Sequence, residues 1–327
     1  MSNVLVTGGA GYVGSVCCRK LLEEGHSVVV IDDLSTGHRP SVPKEAKFRQ
    51  MDLGDRVALS DLLRRYEFDV VFHFAAKALI PESVSNPGVF FDSNVGSGIA
   101  MLETLRLAGV SKFVFSSSAA VYGSPTVLPI LEDHPKSPMN AYGESKLIFE
   151  RILDWYARAY DWSIVSFRYF NACGAATDIG ENHTPETHLI PLLLQTAGDE
   201  RPVFEVYGDD YPTPDGTCLR DFVHVLDIAD AHVKALEVLG SARSNNYNIG
   251  TGTAHSVREV CRVVETVTGR KLPIKIGPRR PGDPAVLCAS PCKIIDELGW
   301  RPHHSSLTEI IESAWRWTSQ SSGACTR

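Results

Sequence analysis

An α/β fold built on a doubly wound parallel sheet is predicted by three observations. Short apolar runs alternate with segments of helical period through the first half of the chain, a glycine triplet (Gly8, Gly11, Gly14) stands at the first run–helix junction, and an acid, Asp32, closes the second run. Strands covered on both faces read as nearly unbroken apolar runs, and the helices that cover them are the right-handed crossovers between.

In chain order, Val4-Leu5-Val6 reads as a buried strand and Gly14 to Glu23 as the helix after it. Ser27 to Ile31 is the second strand and Lys47-Phe48 the third; Arg56 to Tyr66 is amphipathic at the helical period. Asp69 to Phe74, Lys112 to Phe115 and Ser163 to Arg168 are further strands, separated by helical stretches at Asn94 to Ala108 and Tyr142 to Tyr160. Beyond Asn171 the pattern changes: Pro, Gly, His and Asp become frequent from Ala172 to Gly216. We therefore expect a Rossmann domain over residues 1–171 and a smaller C-terminal α/β substrate-binding domain over 172–327, with a return of the chain to the first around 222–250. Ser256 and Glu259 have capping-box spacing before Val260, Val263, Val264 and Val267, and Gly269 ends that helix. Leu307, Ile310, Ile311, Ala314 and Trp315 mark a C-terminal amphipathic helix, with a frayed polar tail from Ser319.

Composition narrows the function classes. The 327 residues are 43% hydrophobic, which excludes a disordered or collagen-like chain. No apolar run approaches the roughly 18–20 residues of a membrane span, and the start shows no secretory signal, so a cytoplasmic location is expected. A net charge of −7 argues against nucleic-acid and membrane-surface partners. Eight cysteines include no zinc-type C-x-x-C pair; free thiols and no metal are expected.

The chemistry concentrates in two places. In Thr7-Gly8-Gly9-Ala10-Gly11-Tyr12-Val13-Gly14 the glycines let the backbone turn tightly and approach a pyrophosphate, which helix N-terminal amides then hold. Asp32 suits the adenosine ribose hydroxyls and repels a 2′-phosphate, favouring NAD over NADP. Asp33 either shares that role or is a solvated turn residue, and Asp52 before Leu53 lies near the adenine or opens a turn. In Tyr142-Gly143-Glu144-Ser145-Lys146, Tyr and Lys share one helix face, where a nearby cation lowers the phenol pKa toward use as a proton acceptor. Alone, that spacing is common by chance. Here a strand ending in Ser116-Ser117-Ser118 precedes it, and the ends of parallel strands face the ligand crevice.

These segments, with His73-Phe74-Ala75-Ala76, Val121-Tyr122-Gly123, Arg168-Tyr169-Phe170-Asn171, Tyr207 to Tyr211, Asp215-Gly216-Thr217, Arg220 to Val225 and Arg279 to Asp283, resemble the extended short-chain dehydrogenase/reductase family, most closely its UDP-glucose 4-epimerases, from Asn3 to Trp317. The related sugar 4,6-dehydratases carry Thr-Asp-Glu where this chain has serines. The resemblance implies reversible 4-epimerisation of a UDP-sugar through a 4-keto intermediate, with tightly bound NAD, in a homodimer built from helices around 94–108 and 142–160. Ser118, Tyr142 and Lys146 would be catalytic. Implied cofactor contacts are Gly8, Gly11, Tyr12, Val13, Gly14, Asp32, Asp33, Asp52, Leu53, Phe74, Ala75, Ala76, Lys77, Asn94, Ser116, Tyr142, Lys146 and Tyr169. The substrate side would be Ser118, Tyr142, Asn171, His188, Leu189, Tyr207, Arg220, Arg280, Asp283 and Leu287, with the two guanidinium forks matching a diphosphate. Taken alone, either arginine reads as a surface ion pair.

Several positions depart from the longer members. They carry a lysine one residue after Lys77, a glycine where Pro81 stands, and asparagine where His188 stands. Leu287 occupies the position that sets the room for the sugar 2-substituent, where others have a large tyrosine or a small cysteine; leucine is intermediate. Another UDP-sugar (N-acetylglucosamine, pentose or glucuronate) is the alternative substrate, and a non-catalytic NAD-sensing regulator the alternative of another class.

Overall fold

The computed structural model describes residues 1–240, 244–280 and 282–324, with 321–324 described by backbone alone. Pro281 of the Arg279–Asp283 motif, and residues 241–243 within the expected return of the chain, lie outside the described residues.

The chain runs β1 (Asn3–Thr7), α1 (Tyr12–Glu23), β2 (Ser27–Asp32), β3 (Lys47–Gln50), α2 (Arg56–Arg65) and β4 (Val70–His73). Two short helices with proline in the first turn, α3 (Ile80–Ser85) and α4 (Pro87–Phe91), lead through a π-helical turn at Asp92–Gly96 into α5 (Ser97–Leu107). Next come β5 (Lys112–Ser118), α6 (Ala141–Tyr160), β6 (Ser163–Tyr169), β7 (Asn171–Cys173), α7 (Leu189–Ala197), β8 (Phe204–Tyr207) and β9 (Leu219–His224). The remainder is α8 (Val225–Val238), β10 (Ser244–Ile249), β11 (Ala254–Ser256), α9 (Val257–Thr268), β12 (Ile274–Gly277), β13 (Val286–Leu287), α10 (Cys292–Leu298) and α11 (Leu307–Ala324).

Seven strands form one parallel sheet in the order β3-β2-β1-β4-β5-β6-β10, a doubly wound Rossmann arrangement. Its order reverses between β1 and β4, which opens a crevice beyond their carboxyl ends. Alternation at period two divides the apolar residues between faces. Val4, Val6, Val28 and Val30 pack with Leu21 of α1 and Ile228 of α8. Leu5, Val29 and Ile31 pack with Leu59, Leu102, Leu105 and Phe149 on the other face. The seventh strand, Ser244–Ile249, comes from far along the chain, and α8 packs on the same face as α1.

Smaller sheets join β7, β11 and β13 to β9, and β12 to β8. A separate core holds them together: Leu193, Phe204, Val206, Val260, Val264, Ile310 and Ile311. Ser256 Oγ accepts from the Glu259 amide at 3.0 Å, so half of the expected capping box is present. The reciprocal half is not, because the Glu259 carboxylate bonds His255 Nδ1 instead (2.7 Å). The C-terminal helix continues to Ala324, beyond the expected fraying at Ser319.

Candidate functional site

A cleft of ≈ 660 Å³ opens beyond the carboxyl ends of β1, β2, β4 and β5. Its floor is the glycine motif. Gly8 has φ +73°, and a Cβ there would lie 2.4 Å from the Ala75 amide nitrogen; one on Gly14 would lie 2.3 Å from Gly8 O. Both glycines are therefore required by close backbone approach. Gly11 stands at the N-terminal cap of α1 and offers no side chain to it, which leaves the first amides of the helix for an anion. Asp32, 8% exposed, ends β2 at the rim, where Oδ2 accepts from Ala10 N (2.9 Å) and Oδ1 from Leu34 N (2.8 Å). Burial raises its pKa and these amides oppose the rise. A pyrophosphate and a ribose fit such a cradle, and with them a dinucleotide.

The second motif closes the cleft from above. Asn140 caps α6, its Oδ1 accepting from Gly143 N at 2.8 Å, which puts Tyr142 in the first turn. Gly143 is the enabling residue. A Cβ there would lie 2.6 Å from Ala120 O, so only glycine lets α6 abut the Ala119–Val121 turn that follows Ser118. Ser118 and Tyr142 thus line the same end of the cleft, with Ser118 Oγ accepting from Ala120 N at 3.1 Å. Burial raises the Tyr142 pKa, and the neighbouring Ser118 hydroxyl opposes the rise. Lys146, one turn on and 3% exposed, donates to Ser116 O (2.7 Å) with its ammonium 5.8 Å from the Tyr142 ring centre. Burial pulls Lys146 down to about 7, with Glu150 opposing. The expected lowering of the Tyr142 pKa by Lys146 is therefore not a property of the protein alone, because desolvation dominates both groups.

Of the residues singled out from the sequence, Gly8, Gly11, Tyr12, Val13, Gly14, Asp32, Asp33, Asp52, Leu53, Phe74, Ala75, Ala76, Lys77, Ser116, Ser118, Tyr142, Lys146, Tyr169, Asn171, His188, Leu189 and Leu287 all line the cleft. Asn94 does not. It is buried behind the wall, where Oδ1 accepts from Lys77 N (2.8 Å) and Nδ2 donates to Lys77 O (3.0 Å) and Ser145 Oγ (3.0 Å). The π-helical turn aims it there, so it fixes the Lys77 loop to α6.

Tyr207, Arg220, Arg280 and Asp283 also lie outside the cleft lining and form a cluster beside it. Arg220 Nη2 donates to Asp283 Oδ1 at 2.8 Å, and the Arg280 guanidinium lies 3.9 Å from the Tyr207 ring centre. One face of Tyr207 is thus covered by Arg280. Leu287, opposite Arg220 in the β13–β9 register, joins cluster to cleft. Within the Arg220–Val225 motif, Asp221 and His224 serve the scaffold. Asp221 accepts from Thr251, Gly252 and Ala289 amides, and His224 accepts from Leu226 N to cap α8.

Sequence reasoning missed Gly37, Gly143 and the residues that gather around His188 in the cleft wall, Glu181, His183 and Glu186. The signal for the last was the spacing Glu-x-His-x-x-Glu-x-His. It also missed the buried network behind Ser116–Ser118, in which Ser117 Oγ donates to Glu150 Oε1 (2.5 Å) and Arg168 grips the same carboxylate.

Comparison with known proteins agrees with this geometry. The profile of the NAD dependent epimerase/dehydratase family matches residues 4–250. UDP-glucose 4-epimerase of Lacticaseibacillus casei is 47% identical over 317 residues, 96% of each chain. That of Corynebacterium glutamicum is 48% identical over 316 residues, covering 97% of this chain and 95% of its own. Among solved structures, a Stenotrophomonas maltophila UDP-glucose 4-epimerase with bound NAD and formylated UDP-arabinopyranose superposes with a TM-score of 0.95 at 41% identity, over 99% of this chain and 100% of that one. The Bifidobacterium longum enzyme in complex with NAD+ and UDP does so with a TM-score of 0.93 at 36% identity, over 98% of both.

Proposed function

The chain belongs to the NAD dependent epimerase/dehydratase family, and from that premise we propose that it interconverts UDP-glucose and UDP-galactose by inverting C4 through a 4-keto sugar, with NAD tightly held. The observation that carries this reading is the meeting of Ser118, Tyr142 and Lys146 at the end of a glycine-floored cleft. Bound NAD supplies a hydride acceptor and donor and a positive charge. The residues of the chain do the rest. Gly8, Gly11 and Gly14 with the α1 amides would hold the pyrophosphate, and Asp32 the ribose. Tyr142 accepts the proton of the sugar 4-hydroxyl and returns it from the phenol after the sugar turns over. Ser118 holds the same oxygen in place by hydrogen bonding, and Lys146 fixes the ribose and the charge near the phenol.

On the substrate side, Asn171, His188, Leu189 and Leu287 face the sugar, while Arg220, Arg280, Asp283 and Tyr207 take the UDP moiety. For that role the Arg280–Tyr207 stack must open. Division of the chain into a nucleotide-binding part (1–171 with the 222–250 return) and a substrate-binding part fits the two sets of cores. A homodimer through α5 and α6 is supported by exposed Ile99, Leu107, Trp155 and Tyr160 on these helices. No helix among the described residues is long and apolar enough to cross a membrane. Seven free cysteines among them fit a reducing cytoplasm, and the net charge of −7 fits the absence of a nucleic-acid partner.

A panel of UDP-sugars incubated without added NAD, with C4 epimers followed by NMR, tests the reaction; no epimer from any sugar overturns it. A second substrate class, N-acetylated UDP-sugars, is favoured by Leu287, which is smaller than tyrosine at the cleft wall. Leu287→Tyr should lower the rate on UDP-N-acetylglucosamine relative to UDP-glucose by roughly tenfold. An unchanged ratio in the NMR assay means that Leu287 does not gate the pocket. A regulator without catalysis is disfavoured, because Ser118, Tyr142 and Lys146 are all present.

A further inference from the structure

We propose that Glu181, His183, Glu186 and His188 form a divalent transition-metal site, of the kind zinc occupies, that staples one wall of the cleft. Two Glu-x-His arms flank a bend at Thr184-Pro185, so residues two apart on each arm present their side chains together. One donor atom from each of the four residues lies within 4.8 Å of the others. His188 Nδ1 is 2.7 Å from Glu181 Oε1 and 2.8 Å from Glu186 Oε1, and His183 Nδ1 is 3.1 Å from Glu181 Oε1. Small shifts convert such hydrogen-bond contacts into four bonds of about 2.0–2.2 Å around one tetrahedral ion.

Charge gives a second, independent reason. The Glu181 and Glu186 side chains are only 8% and 7% exposed, yet among the described residues neither is paired with a lysine or arginine. Among the described residues the imidazoles of His183 and His188 are their sole cationic partners, and a divalent ion bound between the four groups would take over that compensation. A donor set of two imidazoles and two carboxylates suits zinc, whereas calcium and magnesium take oxygen ligands alone. The backbone from 174 to 188 contains no helix or strand, and its packing support includes Trp317 against Gly180. An ion there would tie the irregular segment to itself and aim His188, and with it Leu189, into the cleft. Neither reading depends on the other, since the site stands on the fold and not on the reaction.

Chelator-treated, untagged full-length protein titrated with zinc, and separately with cobalt(II), tests the site. We expect one equivalent of zinc per chain by elemental analysis and the intense visible bands of tetrahedral cobalt. His183→Gln/Glu186→Gln should lose both, with at least a hundredfold weaker binding, and His183→Gln alone should fall between. Thermal unfolding of the metal-free proteins checks that the variants fold; if the double variant does not, the single variant decides. Zinc uptake well below one equivalent, or uptake equal in wild type and variant, overturns the proposal.

Discussion

Tyr142→Phe lowers the turnover of UDP-glucose to UDP-galactose by roughly 10²–10⁴-fold while the protein retains its NAD. The variant removes one oxygen. The glycine floor, the α1 amides and Asp32 are untouched, so nucleotide retention, measured by absorbance after acid release, stays at the wild-type level. Ser118 keeps the bond it accepts from Ala120 N at 3.1 Å, which limits the cost in folding to about 1 kcal/mol. Turnover equal to wild type removes Tyr142 from the chemistry; loss of NAD together with turnover makes it a binding residue instead. The starting point of the residue matters here. Burial strengthens the hold of the phenol on its proton, and Ser118 only partly offsets that. The protein alone therefore keeps Tyr142 protonated, and added positive charge shifts it in the direction catalysis requires.

Arg168→Ala destabilises the fold by about 3–5 kcal/mol, read as a fall in the denaturant midpoint. Arg168 is 1% exposed. Its Nε and Nη2 donate to Glu150 Oε1 (3.0 Å) and Oε2 (2.7 Å), and Nη1 donates to Tyr122 Oη and Glu132 O, both at 2.8 Å. Removing the guanidinium leaves the buried Glu150 carboxylate with only the Ser117 hydroxyl and no countercharge, and takes a donor from the Glu132 carbonyl and from Tyr122 Oη, which keeps its bond to Asn248. Glu150→Gln/Arg168→Met should recover most of the loss, because a buried pair replaced as a unit leaves no uncompensated charge. A loss under about 1 kcal/mol for Arg168→Ala means that water reaches the site.

What the sequence revealed, and what it hid, follow from the range of the forces involved. Strands such as Val4-Leu5-Val6 are legible because both faces are buried, and the glycine triplet because its geometry is local. The strand Ser244–Ile249 is not legible. Its residues Ser-Asn-Asn-Tyr-Asn-Ile are polar, and Asn248 is held by long-range bonds to Tyr122 Oη (2.6 Å) and Ile130 O (2.9 Å). In the site, Tyr142 and Lys146 were readable from spacing on one helix, whereas Gly143 matters only because a distant turn at Ala120 approaches it. Asn94 was read as a ligand contact, but the unforeseen π-helical turn sends it behind the wall. Arg220 and Arg280 were paired by the family resemblance alone, and their present partners, Asp283 and Tyr207, are set by loop packing and not by period.

The late arrival of the seventh strand bears on how the chain leaves the ribosome. Ser244 pairs with Ile164, so the outer edge of β6 waits for most of the second lobe to be made. Until then Phe167 and Tyr169, which pack against Tyr247 and α8 in the finished molecule, have no cover from either. A nascent chain released near residue 171 would present an open, apolar sheet edge, the kind that pairs with a neighbour. Cutting this gene between its lobes would therefore yield a sticky fragment, and complementation by two separately expressed halves should work only when they are synthesised together.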